Sequence, residues 1–339
     1  MLVVGSACVA PAPPPAPSVS VAKPIVIAHR GASGHRPEHT LAAYALAIDI
    51  GADFIEPDLV STKDSVLVAR HENEIGGTTD VAAKFPDRRT TRTIDGRRVT
   101  GWFTEDFTLV ELRTLRATER LPSRSHAYDG REPIPTLDEV LDLVARRSRE
   151  TGRRIGVYPE TKHSSYFRSI GRPLEEPLLA ALARRGWTTK DAPVFIQSFE
   201  VENLRALRPR TGVRLVQLVA AGGGPADARA SADVPVTYAE MVTPAGLARI
   251  ARYADAIGAE KSLVQPIDSA GRRGTPTSLV ADAHLAGLAV HVWTLRSDEA
   301  FLPKGYAGDA AAEWRLFRSL GVDGIFGDFP EVGVAALGR

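Results

Sequence analysis

The sequence contains very few sulfur-containing residues: one cysteine and two methionines among 339 residues. A single cysteine cannot form a disulfide within the chain, so no internal cross-link can stabilise the fold. Stability must instead come from burial of apolar side chains. Hydrophobic residues make up 44% of the sequence and charged residues 24%, which is the composition of an ordinary globular protein with a sizeable core.

The sequence also lacks an excess of either charge and lacks a long apolar run. Its 42 lysines and arginines face 41 aspartates and glutamates, which gives a formal net charge of +1. Nucleic-acid binding relies on a basic excess to attract phosphates, so we expect no nucleic-acid partner. A membrane-spanning helix needs roughly 18 consecutive apolar residues. No segment reaches that length, so no transmembrane span is predicted.

The N-terminal segment has an unusual composition. "MLVVGSACVAPAPPPAPSVSVAKP" begins apolar, passes through small residues to Cys8 and continues as a tract of proline, alanine and serine. The first part resembles the end of a lipoprotein signal, in which the cysteine carries the lipid. We therefore expect residues 1–23 to be a signal remnant and a Pro/Ala-rich linker. The protein would then be exported, either free in the periplasm or anchored at the cell envelope through Cys8. The alternative is a disordered tail whose cysteine has no role.

From Ile25 onward, strand-like apolar runs alternate with helical patterns. "PIVIAH" predicts a strand, and "EHTLAAYALAIDIG" has apolar residues at helical spacing and ends at Gly51, a helix stop. Thr136 and Glu139 match a capping box at the start of another helix. About eight strands alternating with helices indicate a parallel α/β fold, and the length suits a TIM (β/α)8 barrel. No G-x-G-x-x-G follows the first strand, so the dinucleotide-binding signature is missing.

One interval of the chain is too long for a simple strand-to-helix connection. It lies between His71 and Pro135, and we assign residues about 72–133 to a small inserted subdomain after the second strand, within a barrel domain of residues 24–339. Trp102, Phe103 and Phe107 lie close together in this insertion. They form either the core of the insertion or an apolar wall beside the barrel mouth, and the core interpretation is favoured.

Polar residues follow the predicted strands at the points where the strands end. Active sites of TIM barrels lie at this C-terminal end of the strands. Glu56 and Asp58 are two residues apart, as are Glu160 and Lys162, so each pair points to one face of its strand. The predicted site residues are His29, Arg30, Glu56, Asp58, His71, Glu160, Lys162, Gln197 and Trp293.

The residue types at these positions indicate a particular chemistry. Carboxylates are hard oxygen ligands that suit Ca²⁺ or Mg²⁺. His29 and His71 titrate near neutrality and can serve as general acid and base. Arg30 and Lys162 supply fixed positive charge for an anion such as a phosphoryl group. Together these residues indicate metal-assisted phosphoryl transfer. The alternative is that ion pairs with the two cations alone neutralise the carboxylates.

The other polar residues near these positions are expected to serve the fold. His35 and His39 are assigned to the loop and helix start after the first strand, with Glu38 and Thr40 as residues of the helix cap. His291 is assigned a structural role. The histidines expected on the surface are His126, His163 and His284.

Several segments together resemble one known family. They include "HRGASGHRPEHTLAAY", "GADFIEPDLVSTKDSVLVARHENEI", "IPTLDEVL", "YPETKH", "IQSFE" and "LGVDGIFGDFP". In these the chain is similar to the glycerophosphodiester phosphodiesterase family over residues 25–335, and most similar to the exported bacterial branch with a long insertion. The resemblance implies a TIM barrel that hydrolyses deacylated phospholipids to sn-glycerol 3-phosphate and an alcohol such as choline or ethanolamine. It also implies one divalent cation, Ca²⁺ rather than Mg²⁺.

The resemblance assigns roles to the predicted site residues. His29 and His71 form the acid/base pair, with His29 given the base role and His71 the acid role. The metal ligands are Glu56, Asp58 and Glu160, and the phosphate-binding residues are Arg30 and Lys162. Gln197 and Trp293 remain candidates for the substrate pocket. The chain departs from the family pattern at Glu72, where aspartate is common, and at Thr161, where an apolar residue is common.

Two other functions are compatible with a barrel of this kind. One is a lysophospholipase D or sphingomyelinase-D-like enzyme that acts on intact lipid head groups. It needs an apolar rim for acyl chains, which the polar segment "DRRTTRTIDGRR" does not suggest. The other is a non-catalytic barrel that binds phosphodiesters. Such a protein should have lost a histidine or a carboxylate, whereas the complete set is present here.

Overall fold

A computed structural model of the protein describes residues 23–229 and 237–339. The predicted signal remnant and the lipid attachment site at Cys8 lie outside the described residues. Within the described residues, no helix combines the length and the apolar composition that crossing a membrane requires.

The described residues contain thirteen strands. The strands are β1 (Ile25–Ala28), β2 (Phe54–Ile55), β3 (Asp58–Ser61), β4 (Leu67–Ala69), β5 (Thr90–Ile94), β6 (Arg97–Gly101), β7 (Gly156–Val157), β8 (Glu160–Thr161), β9 (Phe195–Ser198), β10 (Arg214–Val219), β11 (Ala256–Glu260), β12 (Ala289–Leu295) and β13 (Gly324–Gly327).

The parallel strands form a closed barrel with eight strands around the ring. Two of these eight are each divided into two short strands. β1 pairs with β13 on one side and with β2 on the other, and β9 to β13 pair in chain order. β2 and β3 are the two halves of one barrel strand, and β7 and β8 are the halves of the next. β2 pairs with β7 and β3 pairs with β8, and β8 also pairs with β9. The ring is therefore complete, and the predicted TIM barrel is confirmed.

Prolines cause the interruptions in the two divided strands. Pro57 separates β2 from β3, and Pro159 separates β7 from β8. Because proline has no backbone N–H, it cannot donate to the sheet ladder. Both interruptions lie beside predicted metal ligands: Glu56 and Asp58 flank the first proline, and Glu160 follows the second. The hydrogen bonding between the strands is thus interrupted at the barrel mouth.

β4 runs antiparallel to its neighbour, unlike the strands of the barrel. It pairs antiparallel with β3, with Leu59 opposite Ala69. The chain reverses within a few residues, helped by the positive φ of 61° at Ser65, and a connection this short cannot return a strand to the parallel direction. β3 and β4 therefore form a hairpin. The hairpin brings His71 to the barrel mouth.

The helices follow the barrel strands and pack around them. The helices are α1 (Leu41–Ile50), α2 (Val81–Lys84), α3 (Leu109–Leu112), α4 (Leu137–Thr151), α5 (Ser164–Ser169), α6 (Glu175–Ala183), α7 (Val201–Leu207), α8 (Tyr238–Met241), α9 (Pro244–Ile250), α10 (Lys261–Val264), α11 (Leu279–Leu285), α12 (Ala310–Ser319) and α13 (Pro330–Leu337). Thr40 caps α1, which ends at Gly51 with φ 117°, and Thr136 and Glu139 form the predicted capping box of α4.

The barrel interior below the mouth is filled by a separate apolar cluster. Its buried members are Ile27, Tyr158, Phe195, Val216, Ala256 and Phe326. They come from different strands around the ring, so only the interior of the barrel can bring them together. The Tyr158 hydroxyl lies 2.6 Å from Nδ1 of the buried His291. His291 therefore has the structural role that was predicted for it.

The insertion contains the hairpin β5–β6 and the short helices α2 and α3. Phe103 and Phe107 are fully buried. Trp102 packs against the core and donates its indole N–H to the carbonyl oxygen of Phe85 at 2.7 Å. Phe107 thus belongs to the main core that the insertion shares with the barrel, and not to a separate core of the insertion.

Candidate active site

Three buried carboxylates meet at the barrel mouth. Each of Glu56, Asp58 and Glu160 offers an oxygen, and the three oxygens lie within 4.8 Å of one another. The pairing of β3 with β8 explains their proximity, because it places Asp58 opposite Glu160. Glu56 precedes Asp58 by two residues and therefore points to the same face. The predicted metal ligands are thus brought together.

The electrostatics of this cluster favour a bound cation. Burial, together with the negative charges of Asp58 and Glu160, raises the pKa of Glu56 well above its usual range. Burial also raises the pKa of Glu160 to about 7, with Lys162 opposing and Asp58 adding to the shift. Such a cluster needs a proton or a cation to neutralise it at neutral pH.

Asp58 differs from its two neighbours because it remains ionised. Burial alone would raise its pKa, but His39, 3.0 Å away, and Arg30 hold that pKa below its usual range. Its Oδ1 atom is buried and has no hydrogen-bond partner among the described residues. An ionised carboxylate with a bare oxygen, beside two further carboxylates, fits the oxygen preference of a hard divalent cation.

His29 lies at the end of β1 with both ring nitrogens near carboxylates. Nδ1 is 2.5 Å from Oδ1 of Asp328, and Nε2 is 3.8 Å from Oε2 of Glu56. Burial and the charge of Arg30 lower the pKa of His29 to about 4, against the opposing effect of Asp328. The ring is therefore neutral near pH 7. Its Nδ1–H donates to Asp328, and Nε2 is left as a proton acceptor.

Asp328 is a site residue that the sequence analysis missed. It accepts hydrogen bonds from Arg296 at 3.0 Å and from Arg124 of the insertion at 2.5 Å, besides the one from His29. These positive partners hold its pKa below the usual range although burial opposes them. Asp328 follows β13 directly, so the strand-end rule applied to the other residues would have found it. It fixes the orientation of the His29 ring.

The loop before α1 contributes more to the site than was predicted. Glu38 does not cap the helix: its Oε2 accepts hydrogen bonds from Arg30 at 3.0 Å and from Arg120 at 2.8 Å. His39 is fully buried and contacts Asp58. His39 lies in the loop before α1, as predicted, but the capping role assigned to Glu38 was wrong. The physical reason is that this loop folds over the barrel mouth, where charged groups need buried partners.

The two predicted phosphate-binding residues lie on either side of the carboxylates. Arg30 donates its backbone N–H to Glu56 at 3.1 Å, and its buried Nε has no hydrogen-bond partner within the described chain. Nζ of Lys162 is 3.1 Å from Glu160 and 3.3 Å from Nε2 of His71. Both cations therefore have donors available for an anion at the mouth.

The remaining two candidates shape the pocket. Gln197 donates its side-chain N–H to Glu56 at 2.7 Å and so holds that carboxylate in place. Trp293 donates its indole N–H to the carbonyl of Gly258 at 2.9 Å, and its ring packs edge-on against Phe199. The pocket that they line with both catalytic candidates has a volume of about 110 Å³. A cleft of about 910 Å³ adjoins it and shares Glu160 with it.

His71 and His163 both contact Glu72. Nδ1 of His71 is 2.9 Å from Glu72. His163 was predicted to lie on the surface, but only 14% of its side chain is exposed, and its two nitrogens contact Glu72 and Asp95. That prediction was wrong because the turn of the hairpin β5–β6 folds over this position. The nine predicted site residues thus converge on one mouth, while their roles remain predictions.

Sequence comparisons identify relatives over most of the chain. Residues 29–332 match the model of the Glycerophosphoryl diester phosphodiesterase family. The glycerophosphodiester phosphodiesterase GDPD6 of Arabidopsis thaliana is 36% identical, with 92% of this chain and 85% of the relative aligned. The glycerophosphodiester phosphodiesterase of Haemophilus influenzae is 32% identical, with 92% and 89% aligned.

Solved structures show the same fold. A putative glycerophosphoryl diester phosphodiesterase from Silicibacter pomeroyi superimposes with a TM-score of 0.65 at 23% identity, covering 93% of this chain and 92% of that one. A phosphodiesterase from Oleispira antarctica, solved with the product sn-glycerol-3-phosphate, gives a TM-score of 0.61 at 22% identity and covers 93% and 97%.

Proposed function

The chain belongs to the glycerophosphoryl diester phosphodiesterase family, and we propose that it hydrolyses glycerophosphodiesters to sn-glycerol 3-phosphate and an alcohol with the help of one divalent cation. Phosphodiesterase activity follows from the family. The cation, the product and the roles of the two histidines are the parts that we propose. The observation that carries the cation is the unpartnered oxygen of Asp58 beside Glu56 and Glu160.

The residues at the mouth fit a hard cation. Glu56, Asp58 and Glu160 would hold it, and when bound it would neutralise charge on a phosphoryl oxygen and lower the pKa of a hydroxyl group. We propose Ca²⁺ rather than Mg²⁺ from the resemblance to the exported branch of the family, and three carboxylates are ligands that Ca²⁺ accepts. Arg30 and Lys162 would donate to the remaining phosphate oxygens.

The two histidines would move the protons. The glycerol hydroxyl next to the ester attacks phosphorus while Nε2 of His29 accepts its proton. The bond from phosphorus to the alcohol oxygen breaks, and His71 donates a proton to that oxygen. In the free site, burial and the charges of Arg30 and Lys162 lower the pKa of His71. A bound phosphate anion offsets those charges, so the substrate itself favours the protonated acid. Water then opens the cyclic phosphate with the histidine roles reversed.

An assay of products tests the function and separates it from the alternatives. Glycerophosphocholine should yield sn-glycerol 3-phosphate and choline in equal amounts, and lysophosphatidylcholine should yield neither choline nor a cyclic lipid product. Preferential turnover of the intact lysolipid would support a lysophospholipase D instead. Binding of glycerophosphocholine without turnover, in the presence of Ca²⁺ or Mg²⁺, would support a non-catalytic barrel and overturn the proposal.

Export to the periplasm or the cell envelope, with a lipid on Cys8, is proposed from the N-terminal sequence alone. Its support is the run of apolar and then small residues that ends at the cysteine. Mass spectrometry of the protein purified from membranes of its own cells tests it. A lipid-modified N-terminal cysteine is the expected result, and an unmodified Met1 terminus in the cytoplasmic fraction would contradict it.

A further inference from the structure

We propose that His163 and Asp95 are positioning residues of the hydrolysis, which act on His71 through Glu72. The inference rests on the catalytic role proposed for His71. It extends the site to a residue of the insertion, since Asp95 lies in the turn between β5 and β6.

The four side chains form one continuous chain of hydrogen bonds. Oδ2 of Asp95 is 2.6 Å from Nδ1 of His163, and Nε2 of His163 is 2.8 Å from Oε2 of Glu72. The other carboxylate oxygen of Glu72 is 2.9 Å from Nδ1 of His71. The second nitrogen of His71 is 3.3 Å from Nζ of Lys162. Each oxygen of Glu72 thus contacts one histidine.

His163 can satisfy both carboxylates only in its charged form. A neutral imidazole has one N–H and one acceptor nitrogen, whereas both nitrogens of His163 face carboxylate oxygens, which only accept. Burial acts against the charge, but Asp95 and Glu72 raise the pKa of His163 to about 9. The imidazolium therefore donates to both partners at neutral pH.

Glu72 needs such an anchor because it is long and partly in solvent. Its side chain is 46% exposed, and an unanchored glutamate loses considerable rotamer entropy when it is held in one place. Aspartate, which the resembled family commonly has here, is one methylene shorter. The glutamate of this chain reaches His163 as well as His71.

The hairpin turn supplies the far end of the chain of hydrogen bonds. Asp95 and Gly96 have φ values of 49° and 79°, as the two central residues of a tight hairpin turn require. This turn lines the larger cleft together with Glu72 and His163. The insertion therefore contacts the site through Asp95, in addition to covering it.

The consequence for catalysis concerns one nitrogen of His71. A fixed Glu72 accepts the Nδ1–H and keeps the ring in one orientation and one tautomer, so that Nε2 faces Lys162 and exchanges the proton. Outer partners of metal-ligating histidines typically contribute about 10- to 100-fold to activity, and we expect the low end of that range for a partner that acts on a catalytic histidine through a glutamate. We therefore expect His163→Ala to lower kcat about 10-fold or more, with a smaller effect on KM.

A double-mutant cycle separates positioning from a general structural role. In the His71→Ala background, His163→Ala should cause no further loss, since it acts only through His71. His126→Ala is the matched control: this exposed histidine of the insertion pairs with Asp129 at 2.8 Å, and its loss should leave kcat unchanged. An unchanged kcat in His163→Ala, or an equal further loss in the His71→Ala background, would overturn the proposal.

Asp95→Asn keeps the test decisive if His163→Ala does not fold. It changes one exposed turn residue, and it should lower kcat in the same direction and lose its effect in the His71→Ala background. An Asp95→Asn enzyme with the kcat of the wild type would contradict the role of the turn. Full activity in His71→Ala alone would instead overturn the catalytic role of His71, so the two failures are distinguishable.

Discussion

Asp58→Asn is expected to lower glycerophosphodiester hydrolysis on the order of 10³-fold, one of the two largest effects of a single substitution in the site. A catalytic cation contributes several kcal/mol of stabilisation to the transition state, and each 1.4 kcal/mol or so corresponds to about tenfold in rate. Among the three carboxylates of the cluster, asparagine replaces the one that is held ionised and has an oxygen without a hydrogen-bond partner in the described chain. The measurement is the rate of sn-glycerol 3-phosphate release at saturating Ca²⁺ or Mg²⁺.

A matched control and a chelator complete this test. Asp142→Asn removes an exposed carboxylate of α4 that pairs with Arg185, and it should leave the rate unchanged. Treatment of the wild type with a chelator should abolish hydrolysis, and a divalent cation should restore it. A chelated wild type that keeps its full rate, or an Asp58→Asn enzyme as active as the wild type, would exclude the cation site.

His29→Ala is expected to lower the rate by roughly 10²–10⁴-fold, as is typical when a general base or acid is removed. His71→Ala should have a loss of similar size with glycerophosphocholine. The two roles differ when the leaving group needs no proton, as in a nitrophenyl ester. With that substrate, His71→Ala should recover most of its activity and His29→Ala should not. Equal losses with both substrates would refute the division of roles, although not the site.

The structure supports this division through the surroundings of the two rings. His29 is buried, neutral and fixed by Asp328, so its free nitrogen is a proton acceptor in the resting enzyme. His71 is 31% exposed at the side chain and lines the smaller pocket, while the adjacent Glu72 lines the larger cleft. A donor at this position is suited to protonating the leaving oxygen.

The barrel and the members of its site could be predicted because both follow local rules. Strand-like runs alternate with helical ones, and strand ends in a TIM barrel meet at one mouth. The residues that follow those runs, such as Glu56 and Glu160, therefore converge whatever the details of packing. Asp328 comes directly after β13 and could have been predicted by the same rule.

The errors concern contacts that depend on how distant segments pack. His163 looked like a surface residue because its partners, Glu72 and Asp95, belong to an insertion whose placement no local pattern specifies. Glu38 looked like a helix cap because it precedes α1 closely, but a buried arginine on the neighbouring strand end attracts its charge.

The most direct measurement of the central claim is a calorimetric titration of the metal-free protein with Ca²⁺ and, separately, with Mg²⁺. One ion should bind per chain, with Ca²⁺ binding more tightly. Binding should disappear in Asp58→Asn and persist in Asp142→Asn, with both variants folded by circular dichroism. Undiminished one-to-one binding in a folded Glu56→Gln/Asp58→Asn variant, or no binding of either cation to an active wild type, would contradict the account.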